Sequence, residues 1–379
     1  MIRIDEIYNN TFWPWFKNNR SGTRVFFCDP PGHTDPEHLF NLGRDDIVEK
    51  DYVFMHDQEP VDLETFKPLF NEVKDRNSDI GGHFEGAIWV QDFSNPRGHV
   101  IVSERGEYLD QLCQQYNWQP HYYFYHGWAC LDWFRGYDRS FVIARARDRN
   151  PTRTFISPNR IVAGKRDHRV LFLYNVFKNQ LEQNYISAPR ICPVENVDIT
   201  SIAQKYTNVY QDISTVFTTT QLPRMFAGEE TQTMSSCWLT NFDEAADSLV
   251  YVPTETVYFG NRLHLTEKTF KAIALEMPFV LVAPAGSLAY LREYGFRTFA
   301  GIFDERYDEE TDDIRRIEKV TQLLKDLNNL SVSERQQIHR ACLPIVEHNY
   351  NHFYCGAFGD ILWTELTQML TEFKKDYND

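Results

Sequence analysis

Short apolar runs alternate with longer amphipathic stretches through most of the chain, and this spacing predicts repeated strand–helix units. Residues 3–18 form a predicted helix. A first strand over 24–28 ends in the turn Asp29-Pro30-Pro31-Gly32-His33, and a second strand covers 51–56. A helical pattern over 63–76, a strand over 99–103, a helix over 108–116 and an aromatic strand over 121–126 follow. Units of this kind predict a parallel sheet with helices on its faces. Between 135 and 154 the pattern breaks. The stretch RGYDRSFVIARARDRNPTRT is basic, polar and rich in turn formers, which sets a domain boundary near residue 150.

Beyond that boundary a new first strand is predicted over 154–157, a loop over 159–165 and a helix over 168–180. Residues 194–246 are polar and poorly periodic, which predicts loops and short elements. A strand over 248–253 leads to a helix that starts at Thr266 and runs to about Glu276. Pro278 stops it, an apolar strand follows over 279–282, and a Pro/Gly turn opens another helix. Helices over 312–327, 331–349 and 358–375 complete the pattern. The fold class expected is α/β, with two doubly wound Rossmann-like domains facing each other across a crevice. The domains are 1–150 and 151–350, and a terminal helical segment, 351–379, packs back on the first. A ligand would then sit at the carboxyl ends of the strands.

Composition narrows the function classes. A chain of 379 residues is long for one core. Its 42% hydrophobic and 25% charged content is ordinary for a globular protein, and the 15% aromatic fraction is high. The net charge of −15 argues against a broad, sequence-independent grip on nucleic acid, which depends on Lys and Arg contacts to phosphate. Seven cysteines without a CxxC pair favour reduced thiols. No stretch approaches the roughly 20 apolar residues of a membrane helix, and the N-terminus lacks an apolar signal core. The expectation is a soluble, cytoplasmic protein without a membrane span.

Four constellations carry candidate chemistry. The first is Thr266-Glu267-Lys268-Thr269, at the start of a helix. A carboxylate can accept both hydroxyls of a ribose, a neighbouring Lys can neutralise phosphate, and a helix N-terminus adds oriented N–H groups. By itself such a tetrapeptide also fits an ordinary capped helix start. The second is the loop after the first strand of the second domain. Asn159, Arg160, Lys165, Arg166, His168 and Arg169 suggest a pyrophosphate clamp there, with Arg160 and Arg169 foremost. The third is His56-Asp57-Gln58-Glu59-Pro60 at a strand end, where Glu59, Asp57 or His56 would serve as general base. The fourth is the aromatic run 116–137. Most of it reads as core, with His126 and Trp128 placed on the acceptor side.

The segment around the first constellation reads Glu255-Thr256, then Thr266-Glu267-Lys268-Thr269, Lys271, Pro278-Phe279, Gly286, Leu288, Leu291, Gly295-Phe296, Thr298-Phe299, Asp304-Glu305 and Tyr307-Asp308. This pattern resembles a group of phage and bacterial glycosyltransferase-like proteins and, more loosely, the donor segment of the α-1,3-fucosyltransferases. The resemblance covers residues 254–308. It implies a GT-B fold whose C-terminal domain holds a nucleotide-diphosphate sugar. By that likeness Glu267 would bind ribose and Lys268 phosphate, with Thr266 and Glu255 beside them and the first domain on the acceptor side.

The implied activity is a nucleotide-sugar-dependent glycosyltransferase that uses no metal and no cofactor besides its co-substrate. The acidic residues 304–313 are then a solvated helix start rather than a metal site. Two questions stay open. The acceptor is either a hydroxymethylated pyrimidine in phage DNA, in host cytoplasm, or a glycan, lipid or small molecule. For DNA, Arg139, Arg145, Arg147, Arg149 and Arg153 would supply a basic track. The chain is also compatible with a non-catalytic nucleotide-sugar-binding module of the same fold.

Overall fold

The computed structural model describes residues 3–12, 14–15, 18, 24–27, 52–56, 60, 98–116, 118–137, 145–229 and 237–375. The chain divides into two compact units: Met1–Asp132 with Asp360–Asp379, and Trp133–Gly359. These limits differ from the expected 150 and 350. The basic stretch that suggested the boundary falls inside the second unit, where part of it is held by a buried carboxylate described below.

In the first unit, β1 (Arg24–Phe27), β2 (Tyr52–His56), β3 (Gly98–Val102) and β4 (Trp118–Tyr122) form a parallel sheet in sequential order. The described strands therefore contain no reversal of order, unlike the doubly wound arrangement expected. Val100, Ile101 and Val102 are buried, as a parallel strand covered on both faces requires. Pro120 has no N–H and lies in β4, at the edge of the described sheet, where a missing donor is tolerated.

Helix α1 (Ile4–Ile7) begins the unit and is followed by π-turns over Tyr8–Phe12. Helix α2 (Glu107–Tyr116) joins β3 to β4. Helix α3 (Tyr125–Trp133) comes next, so the aromatic run is a short strand and then a helix rather than one strand over 121–126. The predicted helix over 63–76 and the turn at 29–33 lie outside the described residues.

The second unit is built on β5 (Arg153–Ser157), β6 (Tyr185–Ile186) and β7 (Ser248–Tyr251), in the order β6-β5-β7 and all parallel. The apolar stretch 279–282 continues the sheet beyond β7. Val280 N donates to Tyr251 O (3.0 Å), Val282 N to Pro253 O (3.0 Å) and Glu255 N to Val282 O (2.9 Å). The chain thus starts in the middle, goes to one side, then returns to the other. This is the order reversal of a doubly wound sheet.

Its helices are α4 (His168–Lys178), α5 (Ile199–Ala203), α6 (Ile213–Thr219), α7 (Phe242–Ala246), α8 (Glu267–Ala274), α9 (Ser287–Glu293), α10 (Asp313–Asn328) and α11 (Val332–Tyr354). The last helix, α12 (Ala357–Lys375), follows. Among the described residues no helix is long and apolar enough to cross a membrane.

Local chemistry explains the helix ends that matter for the site. Helix α8 ends where Glu276 turns to φ +53, and Pro278 bars its continuation. Gly286 takes φ +82 ahead of α9, a backbone shape that suits glycine. Asp312 caps α10 by accepting from Ile314 N and Arg315 N, and Ser331 and Glu334 form a capping box on α11. On α12, Leu362, Leu366, Met369, Leu370 and Phe373 are buried, a spacing that marks one helical face. Those residues belong to the first unit, where the ring of Phe373 lies 4.5 Å from both His99 and His121.

Phe270 anchors α8. It has no exposed surface, and its ring meets Phe296, Phe353 and Phe358 at centroid distances of 5.8, 5.9 and 5.4 Å. Phe270→Ala is expected to lower the unfolding free energy by about 3–5 kcal/mol in a denaturant titration. Val332→Ala, at an exposed helix position, is expected to change it by less than about 0.5 kcal/mol.

Candidate functional site

The strand order reverses at β5, so the loops after β5 and β7 leave toward opposite sides of the sheet at their carboxyl ends. Three stretches far apart in sequence meet there: the loop from Asn159 through the start of α4, the segment 252–256 after β7, and the start of α8.

Asn159 organises the first of these. It has no exposed surface. Its side-chain Nδ2 donates to Ser157 O (3.0 Å) and Ser157 Oγ (3.1 Å), and its Oδ1 accepts from Thr254 Oγ1 (2.9 Å). Its backbone N donates to Ser187 Oγ (2.7 Å), just after β6. The loop behind it turns at Gly164, which has φ +62 and lies so close to Glu195 that an added Cβ would meet Glu195 Oε1 at 3.2 Å.

Arg169, in the first turn of α4, is only 4% exposed. Its guanidinium donates to Ile161 O (2.8 Å), Thr254 O (2.6 Å) and Glu255 O (3.3 Å). Burial, reinforced by the nearby Arg166 charge, pushes its pKa down to about 9, against the pull of Glu255 and Glu267. Backbone carbonyls engage its two terminal nitrogens, while its buried Nε has no hydrogen-bond partner, so Arg169 pins two loops together rather than presenting a free fork to an anion.

Glu255 is likewise internal. It has no exposed surface and accepts from Thr266 N (3.2 Å), Thr266 Oγ1 (2.5 Å) and Thr269 Oγ1 (2.6 Å). A carboxylate from another segment thus does the capping at the start of α8, while Thr266 makes no side-chain cap of its own. Lys268 Nζ donates to Glu267 Oε1 (2.9 Å), Thr256 Oγ1 (3.0 Å) and Thr266 Oγ1 (3.0 Å). An ammonium has three donors, and here all three are occupied. A phosphate would therefore have to replace one of these acceptors. Glu267 itself is buried to 8% exposure.

Arg160 differs from its neighbours. Among the described residues its guanidinium makes no hydrogen bond or ion pair, and its Nε is shielded from solvent without a partner. Glu229 exerts an electrostatic attraction on it.

His168 is fully buried, with its ring stacked on Tyr258 at 4.9 Å. Neither ring nitrogen has a hydrogen bond of good geometry, although backbone groups of Lys165 and Glu255 lie near them. Burial, together with the Arg169 and Arg166 charges, holds its pKa well below the usual histidine value, so the ring is neutral.

The acidic residues 304–313 divide in function. Asp312 is the exposed cap of α10, as expected of a solvated helix start. Asp308 and Glu305 are instead structural ties. Asp308 accepts from Leu288 N (3.0 Å) and Ala289 N (3.3 Å) at the start of α9, and Glu305 accepts from Phe299 N (2.5 Å). Burial raises the pKa of both carboxyls.

The basic track is also interrupted. Arg145 pairs with Glu276, and the buried Arg149 donates to Glu276 O (3.3 Å). These arginines hold the segment before β5 against the end of α8. Arg139 lies outside the described residues.

On the acceptor side, Asp57 and Glu59 fall outside the described residues, and His56 is the last residue of β2. His126 and Trp128 lie in α3 rather than at a strand end. Trp128 has no exposed surface and packs edge-on against Trp363 at 4.6 Å, so it is core and cannot line an open acceptor site. A hollow of about 440 Å³ beside β6 is lined by Tyr185, Pro223, Arg224 and Glu244 among others, and none of the charged cluster lines it.

No family model matches the chain, and no curated protein and no solved structure matches it.

Removing the Glu255 carboxylate leaves three donors buried without an acceptor. Glu255→Ala is expected to destabilise the protein by about 3 kcal/mol or more in denaturant unfolding. A second expectation concerns pH. Above about pH 6.5 the His168 ring is neutral in both folded and unfolded chains and contributes no pH dependence. Below it only the unfolded chain takes up the proton, so stability falls with pH by up to about 1.4 kcal/mol per unit through this residue. Unfolding curves from pH 7 to 5 should therefore be steeper for the wild type than for His168→Phe. Parallel curves would contradict a buried neutral ring.

Proposed function

We propose that the protein is a glycosyltransferase that takes its sugar from a nucleotide-diphosphate sugar, with the unit Trp133–Gly359 as the donor-binding half and GT-B as the architecture. The observation that carries this is the convergence of Asn159-Arg160, Arg169 and Glu267-Lys268 at parallel strand ends beside an order reversal. Such a place suits a nucleotide, because strand carboxyl ends and helix starts present donors together.

The roles divide by what each side chain has to spare. Arg160, with its donors unclaimed, grips the diphosphate, and Lys268 contributes charge beside it. Glu267 receives ribose hydroxyls. Asn159, Arg169, Thr266 and Glu255 hold the loops that carry these groups. As the glycosidic bond breaks, negative charge grows on the departing diphosphate, and fixed cations lower the barrier by meeting it there. A base from the first unit, Glu59, Asp57 or His56, takes the proton of the attacking hydroxyl. The acceptor is specified only as a hydroxyl-bearing group.

A thermal-shift screen with nucleoside diphosphates and nucleotide sugars tests the donor half. A ligand at about 100 times its Kd stabilises the fold by roughly 2.7 kcal/mol. At least one nucleotide is expected to raise the melting temperature, and Arg160→Ala and Lys268→Ala are each expected to reduce that rise. No shift with any nucleotide, or a shift that both variants retain in full, would count against the proposal.

A further inference from the structure

Glu229 lies in the stretch that the sequence pattern left without a role. Its Oε1 accepts from Ser187 Oγ (2.8 Å), and its Oε2 accepts from Phe226 N (3.0 Å). Ser187 Oγ in turn accepts from Asn159 N (2.7 Å), so one chain of hydrogen bonds runs from Glu229 to the loop that carries Arg160. The carboxylate is therefore held from behind at both oxygens, and each oxygen keeps an unused lone pair.

Arg160 and Lys271 attract it, and no ion pair closes on it among the described residues. Burial raises its pKa, which the two cations and the two hydrogen bonds oppose. Beside it, Arg160 keeps a shielded, unpartnered Nε. A part-buried carboxylate tied through Ser187 to the loop of Arg160, and a guanidinium that closes no pair among the described residues, can be bridged by one ligand that suits both. Glu267, by contrast, is held in an ion pair with Lys268.

We propose that Glu229 is a specificity-determining residue of the donor site, where Arg160 and Glu229 together take a group with a hydroxyl beside an anionic phosphate. The phosphate–sugar junction of a nucleotide sugar has this chemistry: Arg160 donates to a phosphate oxygen, and Glu229 accepts from a sugar hydroxyl. Glu229 thus favours the intact nucleotide sugar over the bare nucleoside diphosphate. This deepens the donor proposal and rests on it, and the two can fail separately.

The test is calorimetric titration of the whole chain with uridine and guanosine diphosphates and their glucose and mannose conjugates. Inorganic phosphate and glucose 1-phosphate serve as fragments. The wild type is expected to bind a nucleotide sugar more tightly than its diphosphate. Glu229→Gln is expected to bind the diphosphate at least as tightly as the wild type, since one negative charge is gone. Its Kd for the nucleotide sugar is expected to rise about 10-fold or more, the size of a lost hydrogen bond to a charged acceptor. Arg160→Ala should weaken both ligands.

Glu229→Asp, which keeps the charge and withdraws the carboxylate, should lose the same sugar preference. It serves if Glu229→Gln does not fold. Equal effects of the Glu229 variants on both ligands, or none on either, would overturn the assignment while leaving the donor proposal standing. If the wild type binds no nucleotide, the donor proposal fails and the fragments decide this one. A preference for glucose 1-phosphate over inorganic phosphate that Glu229→Gln abolishes supports it, and no binding or no preference overturns it.

Discussion

A carboxylate without access to water must be surrounded by donors, and in this protein that requirement fixes the geometry of the second unit. Glu255 takes three hydrogen bonds from the start of α8, while Arg169 reaches from α4 to the carbonyls of Thr254 and Glu255. Two helices and the end of β7 are thereby locked to one another. The cost of burying Glu255 and Arg169 is offset only while every one of these partners is in place. The rest of the polar cluster inherits its positions from that lock, including the Asn159 side chain held between Ser157 and Thr254.

The charged residues at the strand ends therefore fall into two kinds. Glu255, Arg169, Asp308 and the Arg145–Glu276 pair spend their hydrogen-bonding capacity inside the protein. Lys268 comes close to them, with its three donors taken. Arg160 and Glu229 stand apart, although Arg169 too leaves its buried Nε without a hydrogen-bond partner. Both are partly desolvated, and neither closes an ion pair among the described residues. A rigid frame that carries a few unsatisfied groups is what preorganised recognition calls for, because the frame bears the ordering cost before a ligand arrives.

Much of this fold was legible in the sequence, and the exceptions have physical causes. The strands at 154–157, 248–253 and 279–282 and the helices that follow them were clear, because short apolar runs with Pro or Gly punctuation leave few alternatives. The run 121–126 misled because Tyr and Phe suit a strand as well as a buried helix, and Tyr125–Trp133 took the helix. The boundary near 150 rested on basic composition, which could not reveal that Arg145 and Arg149 are tied to Glu276, 131 and 127 residues later.

Site residues followed the same rule. Glu267, Lys268 and Arg160 stood out as charged groups at predicted element ends. The internal roles of Glu255 and Arg169 were not visible, because they depend on which carbonyls and hydroxyls fold against them. Glu229 gave no signal at all. It sits in an aperiodic stretch, and its partner Ser187 lies 42 residues earlier.

On the proposed function, the carboxyl ends of β5 and β7 hold a nucleotide-diphosphate sugar. Amide hydrogen exchange with and without a panel of nucleotide sugars measures this by location. Slowed exchange is expected at residues 157–169 and 252–269 and beside Glu229, whose carboxylate accepts from Phe226 N, with little change elsewhere in the second unit. Protection only beside β6, around residues 221–227, or none anywhere with saturating nucleotide, would contradict it.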